Sequence, residues 1–378
     1  MFKTEEQTMA CDSLRRFLED QIEPEYLKVK DAPFEKEVIQ GFMTRLAEFG
    51  LTSAPHPEEA GGMGLDWTTH LMLFEEVGVT ALDIALPILI NVVAGEILLK
   101  LGSDEIREKY IRPLLAGKIT ASMGISEPSV GSDVAAVKTR ARRDGDDWVI
   151  SGEKTWITNG RFSDFLICTC ATDEGLTHIL VDRKEHGYET RDIKKIGLNA
   201  QSTAQIFLDD VRVPVANTIG EVGRGLQQTL VVFERARVHM AMWGISLGRR
   251  ALEESIKYSQ ERSQHGKQIA GHQLIADKIA VMATEIDAAR LLTFRAAGMI
   301  DRGERCDKEC AMAKWYGTEI AVNATRQAMQ IHGGNGVTTD FIVERLAREA
   351  IIGPIPDGTT EIQKLLIARA LTGVQAFK

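Results

Sequence analysis

Trp148-Val149-Ile150-Ser151-Gly152-Glu153-Lys154-Thr155-Trp156-Ile157-Thr158-Asn159-Gly160 contains two short runs of β-branched and aromatic residues, Trp148 to Ser151 and Thr155 to Thr158, separated by polar residues and closed by Asn-Gly. The same texture extends to both sides, through Val137 to Ala141, Phe165 to Ala171, His178 to Val181, Ala204 to Phe207 and Val211 to Val213. Residues 123–222 therefore read as a β domain. Asp144-Gly145-Asp146-Asp147 and Asn159-Gly160 carry hairpin-turn chemistry, which predicts antiparallel pairing across each turn.

Residues 1–122 have a different period. Phe42, Leu46 and Phe49, and again Leu71, Phe74 and Val77, recur at three-to-four spacing among charged residues, the mark of amphipathic helices. Pro55-His56-Pro57 and Gly61-Gly62-Met63-Gly64 punctuate a long connection between two of them. Residues 223–378 return to helix, with Leu226 to Glu261, His272 to Arg302 and Lys308 to His332 amphipathic over many turns. The expectation is an α+β protein in the order helical, β, helical. That order excludes a doubly wound nucleotide fold, and neither GxGxxG nor GxxxxGK[ST] occurs.

With 54 acidic against 45 basic residues the net charge is −9, which argues against a nucleic-acid partner. The eight histidines are scattered, and no HExxH or CxxC pair is present, so no metal is expected. Five cysteines without paired spacing point to a reducing, cytoplasmic setting. No signal peptide is read at the N-terminus, and no membrane association is expected. Ile84 to Leu101 is apolar, but Pro87, Asn91, Glu96 and Lys100 interrupt it, so it reads as a buried core helix.

Four segments carry more specification than packing requires. Met123 to Asp133 places small residues, hydroxyls and Pro128 on a tight loop; a structural turn is the plainer reading. Gly152 to Gly160 puts an indole beside a hydroxyl, suited to a flat heteroaromatic ring, although a lone tryptophan in a strand is more often core. Gln330-Ile331-His332-Gly333-Gly334-Asn335-Gly336 ends a helix with more glycine than one C-cap needs. In Pro354-Ile355-Pro356-Asp357-Gly358-Thr359-Thr360-Glu361, Asp357 precedes a helix start, where an N-cap or turn role is the ordinary one.

Together these segments resemble the acyl-CoA dehydrogenase family over essentially the whole chain. The resemblance rests on Ile125-Ser126-Glu127-Pro128 with Gly131-Ser132-Asp133, on Lys154 and Trp156 to Gly160, on Phe207 to Pro214, and on Arg262 to Lys267, in the family's order and spacing. It implies a C-terminal four-helix bundle, FAD as cofactor, an acyl-CoA substrate, an electron-transferring flavoprotein as acceptor, and a homotetramer. Met123, Ile125 and Ser126 would meet the flavin, Trp156 would lie against its ring system, and Thr158 would approach N5. Arg262 would reach the pyrophosphate in a neighbouring subunit, with Gln330, Gly333 and Gly334 flanking the dinucleotide and Thr359 and Glu361 closing it off. Ser132, Glu234, Arg237 and Gly358 would contact the substrate; for the first three, helix capping or a surface pair is the alternative, the lesser one because exposed pairs matter little.

The reaction so implied removes an α-proton and transfers a β-hydride to flavin N5. A backbone N–H and a ribityl hydroxyl would stabilise the enolate oxygen, and a carboxylate with a raised pKa would take the proton. Relatives commonly have glutamate before Gly-Thr, whereas this chain has Asp357, shorter by roughly 1.3 Å of reach. A second family position for the base aligns with Ala236 and offers no carboxylate; Glu234 would point elsewhere on its helix. The expectation is dehydrogenation of an acyl thioester, with a cyclic or α-branched group that brings its α-carbon closer to Asp357. An ordinary straight-chain dehydrogenase, an enoyl-thioester reductase and a flavoprotein scaffold without dehydrogenase activity are the alternatives.

Overall fold

The computed structural model describes residues 4–376 and, within the long helix of the C-terminal region, leaves out the side chains of residues 229–232. The chain begins with six helices, α1 (Glu5–Phe17), α2 (Glu23–Val29), α3 (Lys36–Ala47), α4 (Trp67–Thr80), α5 (Leu82–Leu101) and α6 (Asp104–Leu115). Their starts are written in local chemistry. Thr4 accepts from Gln7 N–H while the Gln7 side chain bonds back to Thr4, and Asp66 and Ser103 cap α4 and α6. Helix α5 is long and apolar enough to cross a membrane by composition, yet 78% of its most apolar window is buried inside the fold, so it is a core helix.

The β region follows as β1 (Ala121–Gly124), β2 (Arg140–Asp144), β3 (Asp147–Thr158), β4 (Phe165–Thr172), β5 (Gly175–Asp182), the single-turn α7 (Arg183–His186), β6 (Glu189–Asp192), β7 (Thr203–Pro214) and β8 (Thr218–Ile219). The strand order is β6-β7-β3-β2-β4-β5-β8, with β1 pairing β4. The turn at Asp144 to Asp147 makes the expected β2–β3 hairpin. The turn at Asn159-Gly160 does not make one: β3 lies between β7 and β2, and β4 is placed beyond β2. Tertiary bonds override the local hairpin signal there, because Asn159 donates its side-chain amide to Ala121 O at 2.9 Å and its backbone N–H to Ser202 O at 3.0 Å. Nor is the sheet wholly antiparallel, since β1–β4 and β2–β4 pair in parallel. The run expected from Val137 is a strand only from Arg140, after a 3-10 turn at Val134–Ala136. The two runs flanking Gly152 form one continuous β3, bent by two irregularities against β7.

The C-terminal region consists of α8 (Gly225–Glu261), a two-stranded ribbon of β9 (Ser263–Gln264) and β10 (Lys267–Gln268), α9 (Gln273–Asp301), α10 (Asp307–His332), α11 (Val343–Ala350) and α12 (Thr360–Thr372). Helices α8 and α10 run side by side in the same direction, with α9 returning between them in the chain. A Cβ on Gly244 would come within 2.5 Å of Gly317 O, and one on Gly317 within 2.9 Å of Ala241 O. Only glycine at both positions permits this backbone approach.

One buried carboxylate joins all three regions. Asp83 of α5 accepts from Tyr26 Oη of α2 at 2.6 Å, from the backbone N–H groups of Ala200 and Gln201 at 3.1 Å each, and from the Arg345 guanidinium of α11. None of the five cysteines forms a disulfide.

Candidate active site

Trp156 sits at an irregularity in β3, between Lys154 and Ile157, with φ of 63°, a conformation rare for a bulky residue. Its flanking residues Thr155 and Ile157 are buried, but Trp156 is 62% exposed. The core reading of this tryptophan is thereby excluded: the bulge turns the indole outward as an open aromatic face. Thr158, half-buried, follows two residues later on the same strand.

The loop after β1 is anchored beneath this face. The fully buried Lys154 ammonium donates to Glu127 Oε1 at 2.8 Å and to Ile125 O at 3.2 Å. Glu127 also accepts from the N–H groups of Lys138 and Thr139 at 2.8 Å each, and Ser126 O accepts from Thr155 N–H at 3.0 Å. Its carboxyl lies below the usual range because, although burial opposes ionisation, Lys154 and these donors favour the anion. Ile125 and Ser126 are thus tied to Lys154 and Thr155, the residues just before Trp156, while Met123 lies in β1 opposite Ile167; all three are half-buried. Ser132 is exposed further along the loop.

A second group gathers at the start of α10. Asp357 has φ of 55° in the loop before α12, and it is Thr359, not Asp357, that caps that helix by accepting from Ile362 N–H. The N-cap reading of Asp357 therefore fails. Gly358, with φ of 90°, follows it; a Cβ there would meet Gln363 Nε2 at 2.6 Å. The Gln363 amide donates to Asp357 O at 3.0 Å and Gly358 O at 2.9 Å. From the other side the Lys314 ammonium donates to Pro354 O at 3.0 Å and Gly358 O at 2.9 Å. Burial raises the Asp357 carboxyl above its ordinary range, while Lys314 and Arg237 pull against that rise.

Arg237 of α8 is buried rather than part of a surface pair, and its Nε has no partner among the described residues. Glu234, half-buried one turn earlier, is raised to about 7 by burial and by the adjacent Asp307 carboxyl. Arg235 Nη1 reaches it at 2.8 Å. Ala236 is buried and supplies no carboxylate. Glu361 is exposed on the first turn of α12. Lys314 was not singled out by sequence reasoning, although a lysine among the buried positions Cys310, Ala311, Ala313, Gly317 and Thr318 of α10 was a signal available to it.

The third group stands elsewhere. Arg262, Gln330, Gly333 and Gly334 are exposed at the far ends of α8 and α10, where Tyr258 stacks on His332 at 4.2 Å and Asn335 donates to the Tyr258 hydroxyl at 3.1 Å. Arg237 and Arg262 are separated by roughly 37 Å along α8 at about 1.5 Å per residue. Within one chain these residues stand far along α8 from Arg237, which lies beside Asp357.

Three family models cover the chain: acyl-CoA dehydrogenase N-terminal domain over residues 4–118, middle domain over 122–211 and C-terminal domain over 223–372. The chain belongs to the acyl-CoA dehydrogenase family. It is 34% identical to the caffeyl-CoA reductase-Etf complex subunit CarC of Acetobacterium woodii, over 98% of this chain and 99% of that one. It is 33% identical to cyclohexane-1-carbonyl-CoA dehydrogenase of Syntrophus aciditrophicus, over 99% and 98% respectively. The butyryl-CoA dehydrogenase structure from Megasphaera elsdenii superposes with a TM-score of 0.93 at 27% identity, covering 98% of this chain and 99% of that chain.

This acyl-CoA dehydrogenase-family protein is accordingly an oxidoreductase and a flavoprotein, and FAD is its cofactor. Family membership sets aside the scaffold reading. The residues present fit the cofactor: an outward-facing indole beside a threonine hydroxyl suits a flat ring, and Gly333 and Gly334 leave open space where a Cβ would stand.

Proposed function

We propose that this family member dehydrogenates an acyl-CoA thioester at its α and β carbons, with Asp357 as the base that removes the α-proton. The observation that carries this reading is the Asp357 loop: a carboxylate presented at positive φ, gripped through its own and neighbouring carbonyls, and made a better proton acceptor by burial. FAD, when bound, supplies the acceptor for the β-hydride. Met123, Ile125, Ser126, Trp156 and Thr158 would hold it from the β region, with Thr359 and Glu361 alongside, while Arg262, Gln330, Gly333 and Gly334 would hold it from a neighbouring copy. The long separation along α8 supports that division and hence an oligomer, with a homotetramer as the proposed assembly. Ser132, Glu234, Arg237 and Gly358 would face the thioester, and loop N–H groups would meet the developing enolate oxygen.

The substrate proposed is a cyclic or α-branched acyl thioester. The shorter Asp357 carboxylate favours an α-carbon held close to it, and the half-buried Leu86 and Ile90 of α5 would offer an apolar wall. The likeness to a cyclohexane-1-carbonyl-CoA dehydrogenase supports this choice. The Etf-complex relative supports an electron-transferring flavoprotein as acceptor, and the cysteines without disulfides fit a cytoplasmic setting.

The test is flavin bleaching by linear, branched and alicyclic acyl-CoA esters with wild-type holoenzyme and Asp357→Asn. The variant should retain its colour and bleach at least about 100-fold more slowly; undiminished bleaching would remove Asp357 as the base. The raised Asp357 carboxyl also suits the reverse proton delivery, and the caffeyl-CoA reductase relative favours testing it. Reoxidation of the reduced enzyme by an enoyl-CoA, without bleaching by any saturated thioester, would favour the reductase reading.

A further inference from the structure

Lys314 is fully buried in α10, where an ammonium is costly unless its donors are met. It carries three donors, and two are directed at Pro354 O and Gly358 O, three residues before Asp357 and one after it. The span between those carbonyls is closed further by Thr360 N–H, which donates to Pro354 O at 3.0 Å, and by Thr360 Oγ1, which donates to Glu319 Oε1 at 2.6 Å. Gln363 completes the grip from α12. Asp357 therefore stands at the apex of a loop whose two feet rest on a single amine.

We propose that Lys314 is the positioning residue of the base: its ammonium pins the carbonyls on both sides of Asp357, fixes where the carboxylate is presented, and tunes its basicity at the same time. This rests on Asp357 being the base. Two consequences follow from the chemistry. The positive charge favours the Asp357 anion, together with Arg237 from α8, so losing it makes the carboxylate harder to ionise. The charge-assisted bonds to the two carbonyls weaken when the amine loses its proton, so the loop loosens in alkali.

The groups facing Lys314 are Asp357 in the loop, Glu319 on its own helix, Glu361 on α12, which all favour the ammonium, and Arg237 on α8, which opposes it. Burial is the largest influence and brings Lys314 down to about 8, within reach of ordinary alkaline buffers. A lysine that served only as a strut between α10 and α12 would stabilise the fold without setting the ionisation of the base.

The experiment has two arms. In the first, the rate of flavin bleaching is followed against pH for wild-type, Lys314→Met and Lys314→Arg holoenzymes, using whichever of butyryl-, isobutyryl- or cyclohexanecarbonyl-CoA bleaches the wild type fastest. The acid limb should move up by about 1 pH unit in Lys314→Met and stay near the wild-type position in Lys314→Arg, whose guanidinium keeps its charge. An unmoved acid limb in a folded, yellow Lys314→Met protein overturns the proposal. The second arm needs no turnover and no variant. Hydrogen exchange at the Thr360 amide of the wild type, corrected for intrinsic pH dependence, should lose protection as pH rises through about 8; unchanged protection overturns the proposal. Should no thioester bleach the wild type, the dehydrogenase reading fails, while the exchange arm still decides whether Lys314 holds the loop.

Discussion

His70 of α4 and His239 of α8 meet Nε2 to Nε2 at 2.7 Å in the interior. His239 Nδ1 lies 2.8 Å from Arg235 O, and a carbonyl only accepts, so Nδ1 carries the hydrogen and Nε2 is bare. His70 must then donate from its Nε2, leaving its Nδ1 without a partner among the described residues. Both rings are neutral in this arrangement. Burial lowers His56, His178 and His239 to about 4 and lowers His70 well below its ordinary value. The unfolded chain therefore takes up protons below about 6.5 while the native protein does so only near 4. Stability from these groups is full above pH 7 and declines as pH falls between those values. A thermal midpoint that stays flat from pH 7 to 4.5 would contradict this.

Trp156 holds a left-handed backbone that costs a non-glycine residue about 1–2 kcal/mol, and its exposed indole returns little packing to the apoprotein. Trp156→Gly should leave the apoprotein as stable as wild type or more so, while lowering FAD retention. Thermal melts of apoprotein and flavin content after gel filtration give the two readings. A large loss of apoprotein stability would place the indole in the fold rather than in the site.

Lengthening the base should redirect it. Asp357→Glu adds one methylene, roughly 1.3 Å of reach, within a loop whose carbonyl anchors do not depend on the side chain. Bleaching by butyryl-CoA relative to cyclohexanecarbonyl-CoA should rise by about tenfold or more, the equivalent of about 1.4 kcal/mol. Equal loss with both thioesters would argue that reach is not what selects the acyl group.

Asp83→Ala removes the acceptor shared by Tyr26, Ala200, Gln201 and Arg345 and leaves a buried guanidinium facing fewer partners. Breaking a buried pair of this kind costs about 3–5 kcal/mol. Denaturant titration should show that loss with flavin spectra unchanged in whatever protein remains folded.

The long elements were legible because their periods are strong. The spans read for α8, α9 and α10 lie within a residue or so of those observed, and the buried nature of α5 followed from its interruptions. Asn159-Gly160 misled because a turn signal is local, whereas strand order was set by Asn159 reaching Ala121 and Ser202. The outward indole of Trp156 depends on a bulge created by pairing with β7, over 40 residues away in sequence, and no pattern within the strand encodes it. Asp357 was visible as a departure from a motif, but its setting was not: Lys314 and Gln363 come from two different helices, and a lysine in sequence looks like a solvated one.

Helix α8 is a rod with Arg237 in its first half and Arg262 at its far cap, and a rod cannot fold back on itself. Under the proposed assignment, Arg262 of one copy grips the cofactor whose ring lies against Trp156 of another. Colour would then be a measure of assembly: dilution below the dissociation constant of the subunits should bleed flavin into the filtrate before any helix unwinds, and excess FAD should drive the subunits back together.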